Sequence, residues 1–385
     1  MARLFGIVFA VLALALSGTS AAQSRASRAD AILGNTPVAL LAELPSGQVL
    51  YAREADRRFV PASVTKVMTV FSAFELIKAG KLDPGQAVLV DPDIADEWSG
   101  TGSTMFLKSG DEVLVDQLLH GITTISANDA AELLARKAGG SVKGWTDMMN
   151  ANAIRLGMAD SHFNTPNGWM DGGATFTTAN DLLRLATALI TRHPQLYRNY
   201  FGKPDYGYGG IAMRNHDPIT GVVPGADGIK TGYTKQAGYN FLGSAQRGGR
   251  RLVMVLAGIE DPRDRSRIAR EFIEWGFHDF TAHRIFDADQ VIGHADVQGG
   301  VVGSVALVSQ VPVMVSLPNA AGKPRLTIHY EGPLRAPIER GEQVAELEVA
   351  VPGMDAYRVP LVAAQTVGEA GFARRIFNGM MGWFA

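Results

Sequence analysis

Ser63 and Lys66 lie three positions apart in PASVTKVMT, residues 61–69. A serine hydroxyl is a poor nucleophile unless a base lies within hydrogen-bond reach, and residues i and i+3 share one face of a helix. Lys66 can be that base only when it is neutral, which burial and a neighbouring cation promote by lowering its pKa. Pro61 and the apolar periodicity that follows place Ser63 near the first turn of a helix, where free N–H groups favour an anionic oxygen. Taken alone, the spacing is more typical of a capping serine and a solvated lysine.

Ser126-Ala127-Asn128 stands immediately before a second apolar-periodic run. Asp129 and Glu132 fall in the first turn of that predicted helix, so one interpretation is ordinary N-terminal capping. The functional interpretation has Ser126 relaying a proton and Asn128 binding a substrate carbonyl. Both interpretations are compatible with these residues alone.

Lys230-Thr231-Gly232 starts or borders a predicted strand in DGIKTGYTKQAGYNF. It could be a turn with an exposed lysine. In the functional interpretation, Lys230 is the second cation that the Ser63/Lys66 pair needs, Thr231 binds a terminal carboxylate, and Gly232 lets substrate approach the backbone.

Two other segments fit parts of the same pattern, and several common catalytic motifs are missing. Lys108-Ser109-Gly110 matches the third element but precedes Ser126, and Tyr197-Arg198-Asn199 matches a variant of the second element. The sequence has no His-Glu-x-x-His, Gly-x-Ser-x-Gly or Walker-type motif, and its eight histidines are scattered. The sequence therefore lacks the motifs typical of a zinc enzyme, a Ser-His-Asp hydrolase or a nucleotide-binding protein. We expect neither a metal nor a cofactor.

The composition narrows the class of protein further. The 385 residues are 46% hydrophobic, enough for two domains with sizeable cores. A formal charge of -2 argues against nucleic acid as a partner. The chain has no cysteine, which excludes a thiol nucleophile, disulfides and thiolate metal sites.

The N-terminus is typical of an exported protein. A charged start at Arg3, an apolar stretch over residues 4–16 and small residues at Ser20 and Ala22 predict a signal peptide over residues 1–22. A permanent membrane anchor is less favoured, because it needs roughly 20 apolar residues. The mature protein is expected to work in the periplasm or cell envelope.

The elements that must position these residues follow from periodicity and turn signals. Residues 37–56 predict two strands joined by a turn, and residues 64–80 a helix. Further predicted elements are helices over 115–122, 128–137, 145–156, 178–189 and 263–275, strands over 238–245 and 251–258, and a Gly-rich loop over 207–226. Without regular alternation of strands and helices, this order predicts an α+β domain over residues 30–282, with an antiparallel or mixed sheet flanked by helices.

The C-terminal part of the chain differs in character. Residues 283–363 contain short apolar or period-2 runs separated by Gly and Pro, which predict a small all-β sandwich. The last segment, residues 368–385, predicts an amphipathic helix with Trp383 and Phe384 on its apolar half and Arg374 and Arg375 on the other. Such a helix is typical of attachment to a membrane surface, and a helix docked on a domain is the alternative.

The three elements in this order, Ser-x-x-Lys, Ser-x-Asn and Lys-Thr-Gly, are the signature of penicillin-recognising serine enzymes. With the flanking segments GSTMFLKSGDEVLVDQLLHGITTISANDAAELLA, LGMADSHFNTPNGW and DGIKTGYTKQAGYNFLGSA, the chain resembles the D-alanyl-D-alanine carboxypeptidases, the low-molecular-mass penicillin-binding proteins. The resemblance covers roughly residues 37–280. It implies a β-lactamase/transpeptidase-like fold with a helical subdomain, and matches the β-rich segment and tail more loosely.

The resemblance also implies a mechanism. Ser63 attacks the carbonyl between two D-alanines of a peptidoglycan stem peptide, the last D-alanine leaves, and water hydrolyses the acyl-enzyme; β-lactams acylate the same serine. Lys66 takes the proton from Ser63, and Ser126 and Lys230 extend the proton and charge network. Asn128 orients the substrate amide, and Thr231 holds the free carboxylate.

The remaining implied roles concern backbone groups and one arginine. The N–H groups of Ser63 and Tyr233 form the oxyanion hole, and Gly232 admits the substrate. Arg265 occupies the place of a carboxylate-binding arginine, with Arg263 and Arg267 beside it.

The chain departs from the family pattern at two positions. Ala127 stands where relatives commonly have Gly, and Tyr233 where some have His, which leaves any role of that side chain in deacylation open. A class A β-lactamase would need a loop glutamate for fast deacylation, and Glu132 is the glutamate found between Ser126 and Lys230. Two further functions compatible with the motifs are those of a DD-endopeptidase and of a catalytically silent envelope-binding protein.

Overall fold

The computed structural model describes residues 26–44, 46–319 and 322–371. One compact unit contains residues 26–44 and 50–278, and a second contains residues 46–49 and the described residues from 279 onward. The predicted signal peptide and residues 372–385 lie outside the described residues. Within the described ranges, every helix is too short or too polar to cross a membrane.

The main sheet has five strands in the order β2-β1-β9-β8-β7. The pairings of β1 with β9, of β9 with β8 and of β8 with β7 are antiparallel. Its strands are β1 (Val38–Leu44), β2 (Gln48–Arg53), β7 (Ala226–Thr234), β8 (Gly238–Arg247) and β9 (Arg250–Ile259). All seven residues of β1 are buried, as expected of a mostly apolar strand covered on both faces, and its one charged residue, Glu43, pairs with Arg250 at 2.9 Å.

The helices of the described chain cover this sheet and build a helical region beside it. They are α1 (residues 26–33), α2 (Lys66–Lys78), α3 (Pro92–Glu97), α4 (Val115–His120), α5 (Asn128–Gly139), α6 (Val142–Arg155), α7 (Ala179–Arg192), α8 (Pro194–Tyr200) and α9 (Pro262–Asp279). Helix α7 packs against β1 and β9. Helix α9 approaches the sheet so closely at Gly276 that a Cβ there would lie 2.5 Å from the Leu41 side chain. These contacts confirm the α+β class expected from the order of elements.

The prediction of a loop over the Gly-rich residues 207–226 is partly wrong. It contains a hairpin of β5 (Asp205–Tyr208) and β6 (Ile211–Arg214), which pair antiparallel. Gly209 and Gly210 connect the strands with φ of 58° and 81°. Two consecutive positive φ angles form the type I′ turn that matches the twist of a hairpin, so the glycines mark a turn between strands. A separate two-stranded sheet, in which β3 (Ala87–Leu89) pairs antiparallel with β4 (Glu112–Leu114), precedes α4.

The second unit is all-β, as predicted. A six-stranded sheet has the order β14-β16-β17-β12-β11-β15, and β10 pairs with β13 in a separate sheet. The strands are β10 (Phe280–Phe286), β11 (Val291–Gln298), β12 (Ser304–Val308), β13 (Val313–Pro318), β14 (Arg325–His329), β15 (Leu334–Arg335), β16 (Gln343–Ala350) and β17 (Tyr357–Ala363). In β16, buried residues alternate with half-buried ones, the period-2 pattern of a strand with one face on the core. The domain boundary predicted after residue 282 lies inside β10.

The first residues of the predicted C-terminal helix are extended. Residue 369 forms a β-bridge with Gly300, and the N–H of Ala370 donates to the carbonyl of Gly299 over 2.7 Å. The predicted helix is therefore wrong for residues 368–371, because their backbone groups bond to the segment around Gly300. The rest of that predicted helix lies outside the described residues.

Candidate active site

Ser63 and Lys66 meet where two helical segments join. Ser63 lies in a 3-10 turn, Ala62–Thr65, and Lys66 is the first residue of α2. The Nζ of Lys66 donates a hydrogen bond of 2.8 Å to Oγ of Ser63. The spacing of three residues therefore places an amine on the hydroxyl, the arrangement that can activate a serine.

Lys66 is completely buried and makes two further hydrogen bonds. Its Nζ donates to Oδ1 of Asn128 over 2.7 Å and to the carbonyl of Asn167 over 2.8 Å. Burial holds the pKa of Lys66 well below its usual range, and the charge of Lys230 lowers it further, while Asp129 opposes the shift. An amine with a lowered pKa can accept a proton from Ser63 near neutral pH.

Ser126 and Asn128 reach the same place through an irregular turn. A π-helical turn, Gly121–Ile125, ends at Ser126, whose φ of 66° is in the left-handed region. Asn128 then begins α5, and its N–H donates to the carbonyl of Ser103 over 2.7 Å. Ser126 and Asn128 are only 6% and 3% exposed, yet both line the cleft above Ser63.

Asp129 holds the loop that faces this turn. Its carboxylate accepts hydrogen bonds from the N–H groups of Met105, Leu107 and Ala130, at 3.0, 3.2 and 2.8 Å. Burial raises the pKa of Asp129, and the three N–H donors oppose that change. The acidic residue expected to favour the helix N-terminus thus also holds the segment that directly follows two cleft-lining residues, Gly102 and Ser103.

Strand β7 brings the third element alongside the serine. A Cβ on Gly232 would lie 2.4 Å from the carbonyl oxygen of Pro61 and 3.2 Å from the N–H nitrogen of Ser63. Only a residue without a side chain allows this approach of two backbones. Thr231, the preceding residue, is 9% exposed and lines the cleft.

Lys230 lies buried beneath Thr231. Its Nζ donates to the Thr231 carbonyl over 3.1 Å. Burial lowers the pKa of Lys230 to about 7; Asp217 opposes this and Arg265 adds to it. The charge of Lys230 is, after burial, the second cause that lowers the pKa of Lys66.

Tyr233 and Arg265 also line the cleft. The Tyr233 ring is 51% exposed and stacks on Tyr239, with centroids 4.2 Å apart. The Arg265 guanidinium lies 5.7 Å from the Tyr239 ring and donates to the carbonyl of His216 over 3.4 Å. Burial lowers the pKa of Arg265.

The two neighbouring arginines are engaged elsewhere. Arg263 pairs with Asp261 at 3.0 Å, and Arg267 pairs with Glu271 at 3.0 Å. Of the three, Arg265 is the one whose side chain lines the cleft.

The cleft has a volume of about 620 Å³ and includes residues that the sequence did not identify. These are Gly102, Ser103, Gly168, Trp169, Met170, His216, Thr234, Lys235, Tyr239 and Pro262. The sequence signal nearest to them was the turn dipeptide Asn167-Gly168 in LGMADSHFNTPNGW, since Asn-Gly marks a sharp turn without indicating what it approaches.

The two partial matches to the motif pattern do not reach this cleft. Lys108, Ser109 and Gly110 are exposed on a turn, and none of them lines the cleft. Tyr197 is buried, and its hydroxyl donates to the carbonyl of Asp227 over 3.0 Å. Glu132 accepts hydrogen bonds from the Trp98 indole at 3.0 Å and from Arg136 at 3.1 Å, and it also lies outside the cleft lining.

Comparison with known proteins agrees with this geometry. Residues 25–260 match the family model of the D-alanyl-D-alanine carboxypeptidases, and residues 280–369 match that of the penicillin-binding protein 5 C-terminal domain. The D-alanyl-D-alanine carboxypeptidase DacD of Escherichia coli is 32% identical over 344 residues, 88% of each chain. DacF of Bacillus subtilis is 26% identical over 98% of this chain and 97% of its own.

Solved structures show the same similarity. Penicillin-binding protein 5 of Haemophilus influenzae aligns with a TM-score of 0.77 at 27% identity, covering 87% of this chain and 98% of that one. Penicillin-binding protein D2 of Listeria monocytogenes, in its ampicillin-bound form, aligns with a TM-score of 0.56 at 29% identity over 63% of this chain and 97% of that one. Motifs, fold and matches over both units lead to one conclusion: the chain belongs to the D-alanyl-D-alanine carboxypeptidase family.

Proposed function

We propose that this protein is a serine-type carboxypeptidase that removes the terminal D-alanine from peptidoglycan stem pentapeptides through an acyl-enzyme on Ser63. The observation that carries the proposal is the 2.8 Å contact between Ser63 Oγ and the buried Nζ of Lys66 at the floor of the cleft. This contact supplies a nucleophile with its own base. The cations Lys230 and Arg265 suit a substrate that ends in a free carboxylate.

Acylation begins with the transfer of the Ser63 proton to neutral Lys66. Ser63 Oγ bonds to the carbonyl carbon between the two D-alanines, and the carbonyl oxygen becomes an oxyanion. The N–H groups of Ser63 and Tyr233 bind that oxyanion, an effect typically worth about 3 to 4 kcal/mol per donor. Ser126 passes a proton to the amine of the departing D-alanine and receives in its place the proton that Lys66 took from Ser63, and the carbon–nitrogen bond breaks.

The carboxylate of the substrate binds on the β7 side of the cleft. Thr231 donates a hydrogen bond to it, and Lys230 and Arg265 supply positive charge. Asn128 holds the amide on the acyl side of the scissile bond, and Gly232 lets the substrate backbone lie against β7. Water then attacks the ester carbonyl, which releases the shortened peptide and returns the proton to Ser63.

A class A β-lactamase is the less favoured function. Such an enzyme needs a glutamate that activates the deacylating water, and Glu132 is engaged by Trp98 and Arg136 instead. We therefore expect β-lactams to acylate Ser63 and to be released slowly. A catalytically silent envelope-binding protein would not need Ser63, Lys66 and Lys230 together.

Covalent labelling tests the nucleophile. A fluorescent penicillin should label the purified protein, and Ser63→Ala should abolish the label. Ser109→Ala is the matched control, because Ser109 is exposed on a turn away from the cleft. Persistent labelling of the Ser63→Ala protein would refute the assignment of Ser63 as the nucleophile.

The choice of substrate is tested by product analysis. Release of free D-alanine from a stem pentapeptide identifies the carboxypeptidase. A protein that leaves the pentapeptide intact while it cleaves cross-linked dimers would be a DD-endopeptidase, the nearest competing activity.

We further infer that the protein is exported and attached to the outer face of the cytoplasmic membrane. The charged and apolar pattern of residues 1–22 and the amphipathic pattern of the tail support this location. Because residues 368–370 hydrogen-bond to the strand region near Gly300, the truncation that tests it should begin at residue 372. Loss of residues 372–385 should move the protein to the soluble fraction with its penicillin labelling intact, and a truncated protein that stays on the membrane would refute the attachment.

A further inference from the structure

A loop with two exposed valines joins β11 to β12. Val301 and Val302 are 38% and 40% exposed. They lie in residues 299–303, which we call the valine loop, and residues 297–304 contain no charged side chain. Scattered exposed valines are common on protein surfaces, so the surroundings of this pair decide whether it has a role.

The space beneath the valine loop is already filled. Gly300 is buried, and a Cβ there would lie 2.8 Å from the Val367 side chain and 2.9 Å from the Val297 side chain. Val367 and Val297 are themselves buried in the core of the second unit. Val301 and Val302 therefore remain on the surface, because the closely packed interior has no room for them.

The last described residues of the chain are hydrogen-bonded to this loop. The N–H of Val301 donates to the carbonyl of Gly368 over 2.9 Å, and the N–H of Ala370 donates to the carbonyl of Gly299 over 2.7 Å. The described chain therefore ends at residue 371, one residue beyond a hydrogen bond to the valine loop.

The sequence that follows residue 371 is the amphipathic tail FARRIFNGMMGWFA. The role inferred for the loop rests on the proposed attachment of this tail to a membrane. An amphipathic helix lies in the plane of the interface, with its apolar side about 5–10 Å into the boundary between headgroups and acyl chains. Only Gly371 separates Ala370 from Phe372, and each Cα–Cα step spans about 3.8 Å. Attachment of the tail therefore brings the valine loop to the membrane surface.

We propose that the valine loop is a second membrane contact, in which Val301 and Val302 enter the headgroup region of a bilayer beside the tail. Transfer of two apolar side chains out of water adds to the affinity of the tail, and the loop has no charge that would lose its hydration there. Because the loop is bonded to residues 368–370, it binds next to the tail at a high effective concentration. The two contacts together restrict the rotation of the second unit about its point of attachment.

Binding of the purified protein to vesicles of phosphatidylcholine and phosphatidylglycerol tests the loop. The double variant Val301→Gln/Val302→Gln should lower the partition coefficient about fivefold. Val291→Gln/Val311→Gln is the matched control, because Val291 and Val311 are 49% and 48% exposed and Val291 begins β11, whereas the valine loop follows its end. The control should bind like wild type. Equal binding of the valine-loop variant and wild type would overturn the proposal.

A fluorescent probe reports the contact itself. The chain contains no cysteine, so Val302→Cys can be labelled at one site with an environment-sensitive nitrobenzoxadiazole group. Its emission should shift to shorter wavelength when vesicles are added, whereas the same probe in Val291→Cys should not shift. A probe at residue 302 that stays in water on vesicle-bound protein would overturn the proposal. So would a probe that is already shielded before vesicles are added, since the tail would then cover the loop.

The same measurements separate the loop contact from the attachment on which it rests. Wild-type protein that does not bind vesicles would refute the membrane attachment, and the loop contact with it. Wild-type binding that the valine-loop variant retains in full would leave the attachment in place and refute the loop contact alone. Thermal unfolding checks that both double variants are folded; if the valine-loop variant is not, the probe at residue 302 decides.

Discussion

The Nζ of Lys66 lies 2.8 Å from Oγ of Ser63 while the Lys66 side chain has no solvent-exposed surface. A charged ammonium in such a site loses its hydration, and the neighbouring Lys230 repels it as well, so the pKa of Lys66 is well below its usual range. A neutral amine next to a serine is the chemical state that a general base requires. The pKa of Lys66, and with it the strength of Lys66 as a base, therefore depends in part on Lys230 of β7.

The first prediction concerns the ability of residue 66 to lose its charge. Lys66→Arg should reduce the rate of penicillin acylation by about 10²–10⁴-fold, because a guanidinium does not deprotonate in proteins. The rate is measured by stopped-flow or by intact mass against time. Lys78→Arg, at the exposed end of the same helix, is the control and should react normally. A Lys66→Arg protein that acylates at the wild-type rate would exclude Lys66 as the base.

The second prediction concerns pH. The acylation rate should rise with pH through the pKa of Lys66, since the neutral amine is the active form. Lys230 lowers that pKa, so Lys230→Met should raise it and move the acidic limb of the profile to higher pH. Lys108→Met removes an exposed charge outside the cleft lining, where water screens it, and its acidic limb should stay in place. An acidic limb that is the same in Lys230→Met and wild type would show that Lys230 does not set the base strength.

Local geometry explains why part of this site was predictable from the sequence. Ser63 and Lys66 are three residues apart on one helical segment, so their contact follows from spacing alone. Elementary electrostatics requires that a neutral Lys66 be buried and close to a second cation, and this requirement predicts Lys230.

The remaining parts of the site depend on tertiary structure. The third acceptor of Lys66, the backbone carbonyl of Asn167, has no side-chain signature, and it reaches Lys66 across about a hundred residues of chain. Trp169 likewise reaches the cleft only through the tertiary fold, which its local sequence does not reveal. The hairpin of residues 205–214 differs from the predicted loop because its two glycines, which indicate a loop by composition, have positive φ angles that form a tight turn between strands.

The third prediction concerns the close approach of β7 to the serine turn. Gly232→Ala places a Cβ 2.4 Å from the Pro61 carbonyl oxygen, so the strand or the turn must move. We expect a loss of about 1 to 3 kcal/mol in the free energy of unfolding and a reduced acylation rate. In Gly207→Ala, the nearest contact is 3.7 Å, and both quantities should change little. The measurements are thermal unfolding and penicillin labelling, and a Gly232→Ala protein that equals wild type in both would show that the approach is not tight in solution.

The last prediction separates this protein from a β-lactamase. Glu132 bonds to the Trp98 indole and to Arg136, and it does not line the cleft. Glu132→Gln should therefore leave the lifetime of the penicilloyl-enzyme within about twofold of wild type, while the weakened contact with Arg136 lowers the free energy of unfolding by about 1 to 2 kcal/mol. Glu97→Gln, which lies 3.7 Å from the same guanidinium on an exposed surface, is the control for loss of charge. Mass spectrometry of the acyl-enzyme after removal of free penicillin measures the lifetime, and a tenfold longer lifetime in Glu132→Gln would make Glu132 the residue that drives deacylation.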